Sequence, residues 1–370
     1  MRRNVFWAWL GAAVVLTGVA VPAAPADVHS LIKDIFPVPS VSGNEEQLAA
    51  KIAGFLPKGV SVEKDNLGSL FARVGPGAAD LAVLVPLDEF GYVVSGITAD
   101  GYLRVDRTLP APVRMFDSFL LGHPVVISTK AGPVNGLVCQ PAMHLLTQER
   151  RAQLEKELTL DMIFIDLAVR SEAEARAKGI EMLDPVTFLP DLVTLANDRL
   201  SGPALGQKAA CAAVTSAAVT LSGGRVAQGV AFGWMAQTRL TARGMRMSLG
   251  VVRAKNKLAP KAAIIVYIVD ADRNEKSPAF GKGPVIIQAK EGPSKLRDAI
   301  DAAAREKGIA LQYQVAAEPM LTALSSETTD AVMLAIPVKF SGTPSEVVDV
   351  KDVQAISDIL AKVAGSWRAK

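Results

Sequence analysis

Two adjacent carboxylates, Asp88 and Glu89, follow the apolar run Leu81 to Val85 in the segment Pro86-Leu87-Asp88-Glu89-Phe90-Gly91. Acids delivered together at the end of a buried strand are suited to holding a divalent cation. A zinc centre of this kind adds histidine or cysteine ligands and keeps one position open for water. The sequence is poorly stocked for that chemistry. It has 3 histidines, His29, His123 and His144, and none stands near Asp88. Pro86, two residues earlier, has no ligand atom. Composition therefore argues against a cocatalytic metal pair.

Other schemes have less support. No Gly-x-Ser-x-Gly follows a strand pattern, and Ser222-Gly223-Gly224 reads as a turn. Gly281-Lys282-Gly283 lacks the frame of a phosphate-binding loop. With 40 basic and 37 acidic side chains and a formal net charge of +3, the chain carries no electrostatic footprint for nucleic acid or a membrane surface. The clusters Arg243 to Arg246 and Arg253 to Lys261 read as solvated surface. Cys139 and Cys211 are too few for a disulfide framework and are expected as free thiols, with a single pair as the alternative.

The segment at Pro86 resembles the His-x-Asp-Glu-x-Gly signature of the glutamyl and tetrahedral aminopeptidases, dinuclear-metal peptidases, with the histidine replaced. Further matches follow in order. They include Ser42-Gly43-Asn44-Glu45-Glu46, Asp65-Asn66-Leu67-Gly68-Ser69, Asp100-Gly101-Tyr102, Asn197-Asp198-Arg199, Gly281-Lys282-Gly283-Pro284 and Ile336-Pro337-Val338-Lys339-Phe340. The resemblance runs from about residue 30 to the C-terminus. It implies two divalent metals, zinc or cobalt, and a metallo-aminopeptidase activity.

Carried over residue by residue, the resemblance places the bridging aspartate on Asn197 and the Glu-Glu pair on Thr238-Arg239. The last aspartate ligand falls near Tyr267, with Asp270 and Asp272 close by. The C-terminal Arg-Tyr-x-His falls on Lys339-Phe340-Ser341-Gly342. A hydroxyl cannot take a proton from metal-bound water near neutral pH, and a guanidinium repels a cation. Of the family's pattern only Asp88, which there backs the first histidine, and Asp198 persist, with Glu89 beside them, so neither a catalytic residue nor a bound metal is expected. Carboxylates left in one cleft without metals require another cation. Arg239 is expected to enter the former metal pocket and pair with Asp88 or Asp198, unless the register is shifted and it lies on the surface.

The elements that would position these residues are legible as patterns. Residues 1–26 read as an export signal: Arg2 and Arg3, the apolar stretch Val5 to Val21, then Ala24-Pro25-Ala26 before Asp27. That stretch falls short of the roughly 20 residues a spanning helix needs, so no stable membrane anchor is expected. A periplasmic or extracellular location follows, with cleavage at about Ala26-Asp27. Residues 27–91 and 193–370 alternate helical and β-rich patterns, the mark of an α/β sheet with helices on both faces. Residues 92–192 show short strands punctuated by Gly and Pro and resemble the family's inserted β-barrel-like assembly domain, which implies a homo-oligomer. One departure stands near the end: Thr329-Asp330-Ala331 lies only a few residues before Ile336-Pro337, where the family has an intervening helix.

Three functional readings follow. The first is an exported, non-catalytic family homologue with an assembly, scaffold or binding role. The second is a hydrolase with a rearranged metal site, and the third a periplasmic binder of small peptides or sugars.

Overall fold

The computed structural model describes residues 27–368, apart from 114, 141, 157, 225, 240–241, 248–249, 251–259 and 326–329. Residues 1–26, expected as an export signal, Thr329 and most of the basic cluster 253–261 lie outside the described residues.

The larger unit is an eight-stranded mixed sheet. Its order is Ser61–Lys64, Leu70–Val74, Gly229–Met235, Ala79–Pro86, Ala262–Asp270, Asp330–Val338, Val285–Gln288 and Gln312–Val315. Ala79–Pro86 lies at its centre, parallel to both neighbours, and every residue of it is buried. Side chains alternate across the strand. Leu81, Val83 and Val85 join one apolar cluster, while Ala82 and Leu84 join the other. Helices therefore cover both faces, which is why a central strand reads as a continuous apolar run rather than an alternating one. The helices Val28–Ile35, Glu46–Phe55, Leu205–Ser222, Lys295–Lys307 and Val350–Ser366 pack on the first face, and Pro319–Ser325 packs on the second.

The inserted unit is a closed antiparallel barrel of six strands, from Tyr92–Ile97 to Pro185–Phe188. Its core includes Val94, Leu103, Val125, Ile127, Val138 and Ile165. Closure removes the free edges that short Gly- and Pro-punctuated strands would otherwise present. The fold expected from the sequence, an α/β sheet domain with an inserted β-barrel, is the fold observed.

A small three-stranded sheet, Val193–Leu195, Arg199–Gly202 and Glu346–Asp349, packs against the α/β unit. It delivers the chain from the barrel to the helix Leu205–Ser222, whose residues are nearly all buried. Gly206 opens this helix against the sheet. A Cβ there would stand 3.0 Å from both Ile268 and Val338 and 3.3 Å from the Glu346 carboxylate, so any larger residue would have to push these side chains back by a few tenths of an ångström.

The departure near the end is seen in the structure from Asp330 onward. Asp330 opens the strand Asp330–Val338 that also contains Ile336-Pro337, and no helix intervenes. Its carboxylate accepts from Ser294 Oγ at 2.7 Å and Leu296 N at 2.9 Å, so it secures the start of the helix Lys295–Lys307. Cys139 and Cys211 are both free. Burial pushes the Cys211 thiol up to about 12, against the pull of nearby Lys208, and leaves it a packed, protonated side chain.

Candidate functional site

The C-terminal end of the central strand opens into a cavity of about 2,030 Å³ between sheet and barrel. In an open α/β sheet this is where ligands are ordinarily received. The sheet contributes Glu89, Arg239, Tyr267 and Glu346 to its lining. The barrel side contributes Pro112, Phe116 and Phe188.

Asp88 is fully buried, and all of its acceptor capacity is engaged by the protein itself. Oδ1 accepts from Thr238 N at 3.1 Å and from the Thr238 hydroxyl at shorter range. Oδ2 accepts from Arg239 N at 2.9 Å and Ser42 Oγ at 3.1 Å. The neighbouring amide, Gln237 N, donates to Glu45 Oε1 at 2.8 Å. Three successive amides therefore face carboxylates, as in an anion-binding backbone nest. This holds Gln237 in a left-handed conformation (φ 51°) and fixes the loop after the strand Gly229–Met235. Burial pushes the Glu45 carboxyl up to about 7, even though the Gln237 amide pulls it down.

Glu89 has a different partner. Its Oε1 accepts from Ser40 N at 2.7 Å and lies 3.3 Å from the Lys208 ammonium. The Lys208 side chain is only 1% exposed and also donates to Val38 O and Ser40 Oγ, both at 2.6 Å. Lys208 is a functional-region residue that sequence reasoning missed. It is the one charged residue in the alanine-rich helix Leu205–Ser222, a pattern that marks a buried, paired charge.

Arg239 enters the cavity as expected, but it does not form the expected ion pair. Its Nε donates to the Asp88 main-chain carbonyl at 2.8 Å. Its guanidinium lies 4.4 Å from the Phe90 ring centroid and 5.5 Å from that of Tyr267. The Asp88 carboxylate, already holding four donors, has no lone pair left for it. Tyr267 thus stands beneath a guanidinium at the strand end. Asp270 and Asp272, farther along, pair with Arg273 at 3.3 Å and Lys339 at 2.9 Å on the rim.

Glu346 is fixed by Gly342 N at 2.8 Å and Gly206 N at 2.9 Å. Burial pushes its carboxyl up, while these amides and Arg239 oppose the shift. Gly342, in a left-handed conformation (φ 73°), thereby holds the loop that carries Lys339 and Phe340 into the cavity lining. Pro86 is buried, and its carbonyl accepts from the Gln207 side-chain amide.

Asn197 and Asp198 correct the sequence-based expectation. Both are exposed, in left-handed backbone (φ 61° and 55°), at the tip of the hairpin joining Val193–Leu195 to Arg199–Gly202. Neither lines the cavity, and Asp198 does not meet Asp88 there. The segment that does reach the cavity is Pro203-Ala204, a few residues onward, and it carries no carboxylate.

A profile of M42 glutamyl aminopeptidases matches residues 68–359. The chain belongs to that family. A lysyl aminopeptidase of Pyrococcus furiosus is 27% identical over 335 residues, spanning 87% of this chain and 92% of the relative. The TET1 peptidase of Pyrococcus horikoshii, described as assembling into a tetrahedron or a large octahedral shell, superposes with a TM-score of 0.79 at 21% identity. That match spans 92% of this chain and all of the other. An aminopeptidase of Desulfurococcus kamchatkensis superposes with a TM-score of 0.77 at 21% identity, over 92% of this chain and 95% of the other.

The described residues around this strand end do not fit two divalent metals. Among the described residues no group of three or more His, Cys, Asp or Glu side chains is arranged to hold a metal ion. The two acids at the strand end are engaged by backbone amides, hydroxyls and an ammonium. A guanidinium lies against the same strand end.

Proposed function

We propose that this chain is a non-catalytic M42 homologue, exported after cleavage near Ala26-Asp27, which uses its cleft for binding and its barrel for assembly. The observation that carries this reading is the strand end itself: Pro86, where the resemblance places the first histidine ligand, has no ligand atom, and the Asp88 carboxylate, which there would back that histidine, is held instead by four donors of the protein. A general base is lacking as well, because Thr238 and Arg239 stand where the resemblance places the Glu-Glu pair.

The assembly role is supported by apolar side chains exposed on the barrel, Leu137, Met182 and Leu183 among them. It is also supported by the similar structure described as a dodecamer. Export is supported by the basic, apolar and small-residue pattern of the first 26 residues.

Metal analysis after dialysis against zinc, cobalt or manganese, run beside hydrolysis of aminoacyl chromogenic substrates, tests the reading. Substoichiometric metal and no chelator-sensitive turnover are expected. Two tightly held equivalents with turnover abolished by a chelator would overturn it. Light scattering coupled to size exclusion is expected to show an oligomer, and a monomer at high concentration would remove the assembly role.

A further inference from the structure

The cavity contains a cation whose outer face is unused by the protein. Arg239 is held by Nε on the Asp88 carbonyl and by the rings of Phe90 and Tyr267, which together fix the plane of its guanidinium. Among the described residues, Arg239 makes hydrogen bonds through its main-chain N and through Nε, and neither Nη1 nor Nη2 forms a hydrogen bond or ion pair. A pinned guanidinium with its outer nitrogens free matches the geometry of a carboxylate, which it can grip with two parallel N–H···O bonds.

The acids around it leave that position available. The Asp88 carboxylate is turned to the backbone of Thr238 and Arg239. Glu89 is neutralised by Lys208 on the far side. Glu346, held by Gly342 and Gly206, is pushed by burial toward its neutral form. On the rim, Asp270 and Asp272 are paired with Arg273 and Lys339.

Away from the guanidinium the cavity wall becomes aromatic. Phe90 is 6.2 Å from Phe116 between ring centroids, and Phe116 is 6.4 Å from Phe188, edge to face. The series Tyr267, Arg239, Phe90, Phe116, Phe188 crosses from the sheet to the barrel along the cavity lining. Such a wall offers burial to an apolar body a few ångströms from the charged head group.

We propose that the cleft binds an organic carboxylate with an apolar body, such as the C-terminal end of a short hydrophobic peptide. The carboxylate is held on the outer nitrogens of Arg239 and the body lies along Phe116 and Phe188. This deepens the binding role above and rests on the absence of metals from the cleft.

The experiment compares acetyl-Ala-Leu-Phe bearing a free C-terminal carboxylate with its C-terminal amide, by calorimetric titration of the purified protein with and without added zinc. The acid is expected to bind on the order of tenfold more tightly than the amide without zinc, about one good charge-assisted interaction. Arg239→Gln is expected to abolish the difference. Phe188→Ala, on the barrel side, is expected to weaken acid and amide alike. Should Arg239→Gln fail to fold, the acid-to-amide ratio in the parent protein and its decline with added salt carry the test.

Equal affinity of acid and amide overturns the proposal, as does the absence of binding at millimolar peptide. Competition by inorganic phosphate at the same concentration as the peptide overturns the apolar part of the assignment. An acid preference that appears only with stoichiometric zinc would overturn both this inference and the non-catalytic reading. A protein that takes up no stoichiometric zinc and shows no acid preference with or without it would overturn this inference alone.

Discussion

The barrel and the cleft floor each bury an aspartate, and they satisfy it in different ways. In the barrel, Asp117 accepts from the Arg107 guanidinium, including Nε at 3.0 Å, and from Tyr92 Oη at 2.9 Å. Arg107 and Tyr92 come from adjacent paired strands, so acid and cation cancel within one local unit. On the cleft floor, Asp88 is satisfied by two backbone amides and two hydroxyls from separate segments, and the nearest guanidinium is directed elsewhere. A carboxylate neutralised by its own arginine leaves nothing for a ligand. A carboxylate held by neutral donors leaves the neighbouring cation unpaired with it, and this difference is what the proposed binding role of the cleft rests on.

The largest effect expected concerns Lys208, whose ammonium is the counter-charge of Glu89. Lys208→Met would leave Glu89 buried and unpaired, at a cost of about 3–5 kcal/mol. The double variant Lys208→Met/Glu89→Gln is expected to recover most of that loss, because Gln still accepts from Ser40. Urea unfolding midpoints measure both. A single variant as stable as the parent would show that the floor does not depend on this pair.

A smaller effect is expected in the barrel. Asp117→Asn weakens the contacts with Arg107 and Tyr92 and should cost about 1–3 kcal/mol, reduced by the partial exposure of Arg107. Hydrogen exchange should localise the loss to residues 92–188 and leave the cleft unchanged. Equal loosening of the cleft floor would contradict the independence of the two regions.

The smallest concerns pH. The Glu45 carboxyl is raised to about 7 in the folded protein, so the native state binds more protons than the unfolded chain between about pH 4.5 and 7. Its contribution is fully present below that range and is lost as pH rises through it. Glu45→Gln cannot ionise and still offers an acceptor to Gln237 N. It should flatten this part of the stability profile and gain on the order of 1 kcal/mol over the parent at pH 8. An unchanged profile would place the titration on another group, with Asp352, raised by burial to about 6, the next to test.

Some of the site was legible before any fold was known. Asp88 and Glu89 could be placed at a strand end because an uninterrupted apolar run must be a strand covered on both faces. Arg239 was placed near them by the family resemblance, which puts the Glu-Glu pair on Thr238-Arg239. Lys208 was equally visible as a lone charge in an alanine-rich helix, but its partner, 119 residues away, was not. Asn197 and Asp198 were misplaced because their residue types serve a turn as readily as a site. Both tolerate left-handed backbone, and a hairpin tip is where that tolerance is used.

The sequence by itself determined the sheet, the run of short strands inserted in it and the shortage of metal ligands, since periodicity and composition are local properties that survive any small error of register; that the inserted strands form a barrel came from the family resemblance. Only the tertiary structure decided which donors meet Asp88, that Arg239 turns to a carbonyl and two rings instead of a carboxylate, and that Lys208 neutralises Glu89. Those outcomes depend on hydrogen-bond directions over a few ångströms between segments far apart in the chain, and no local pattern encodes such distances.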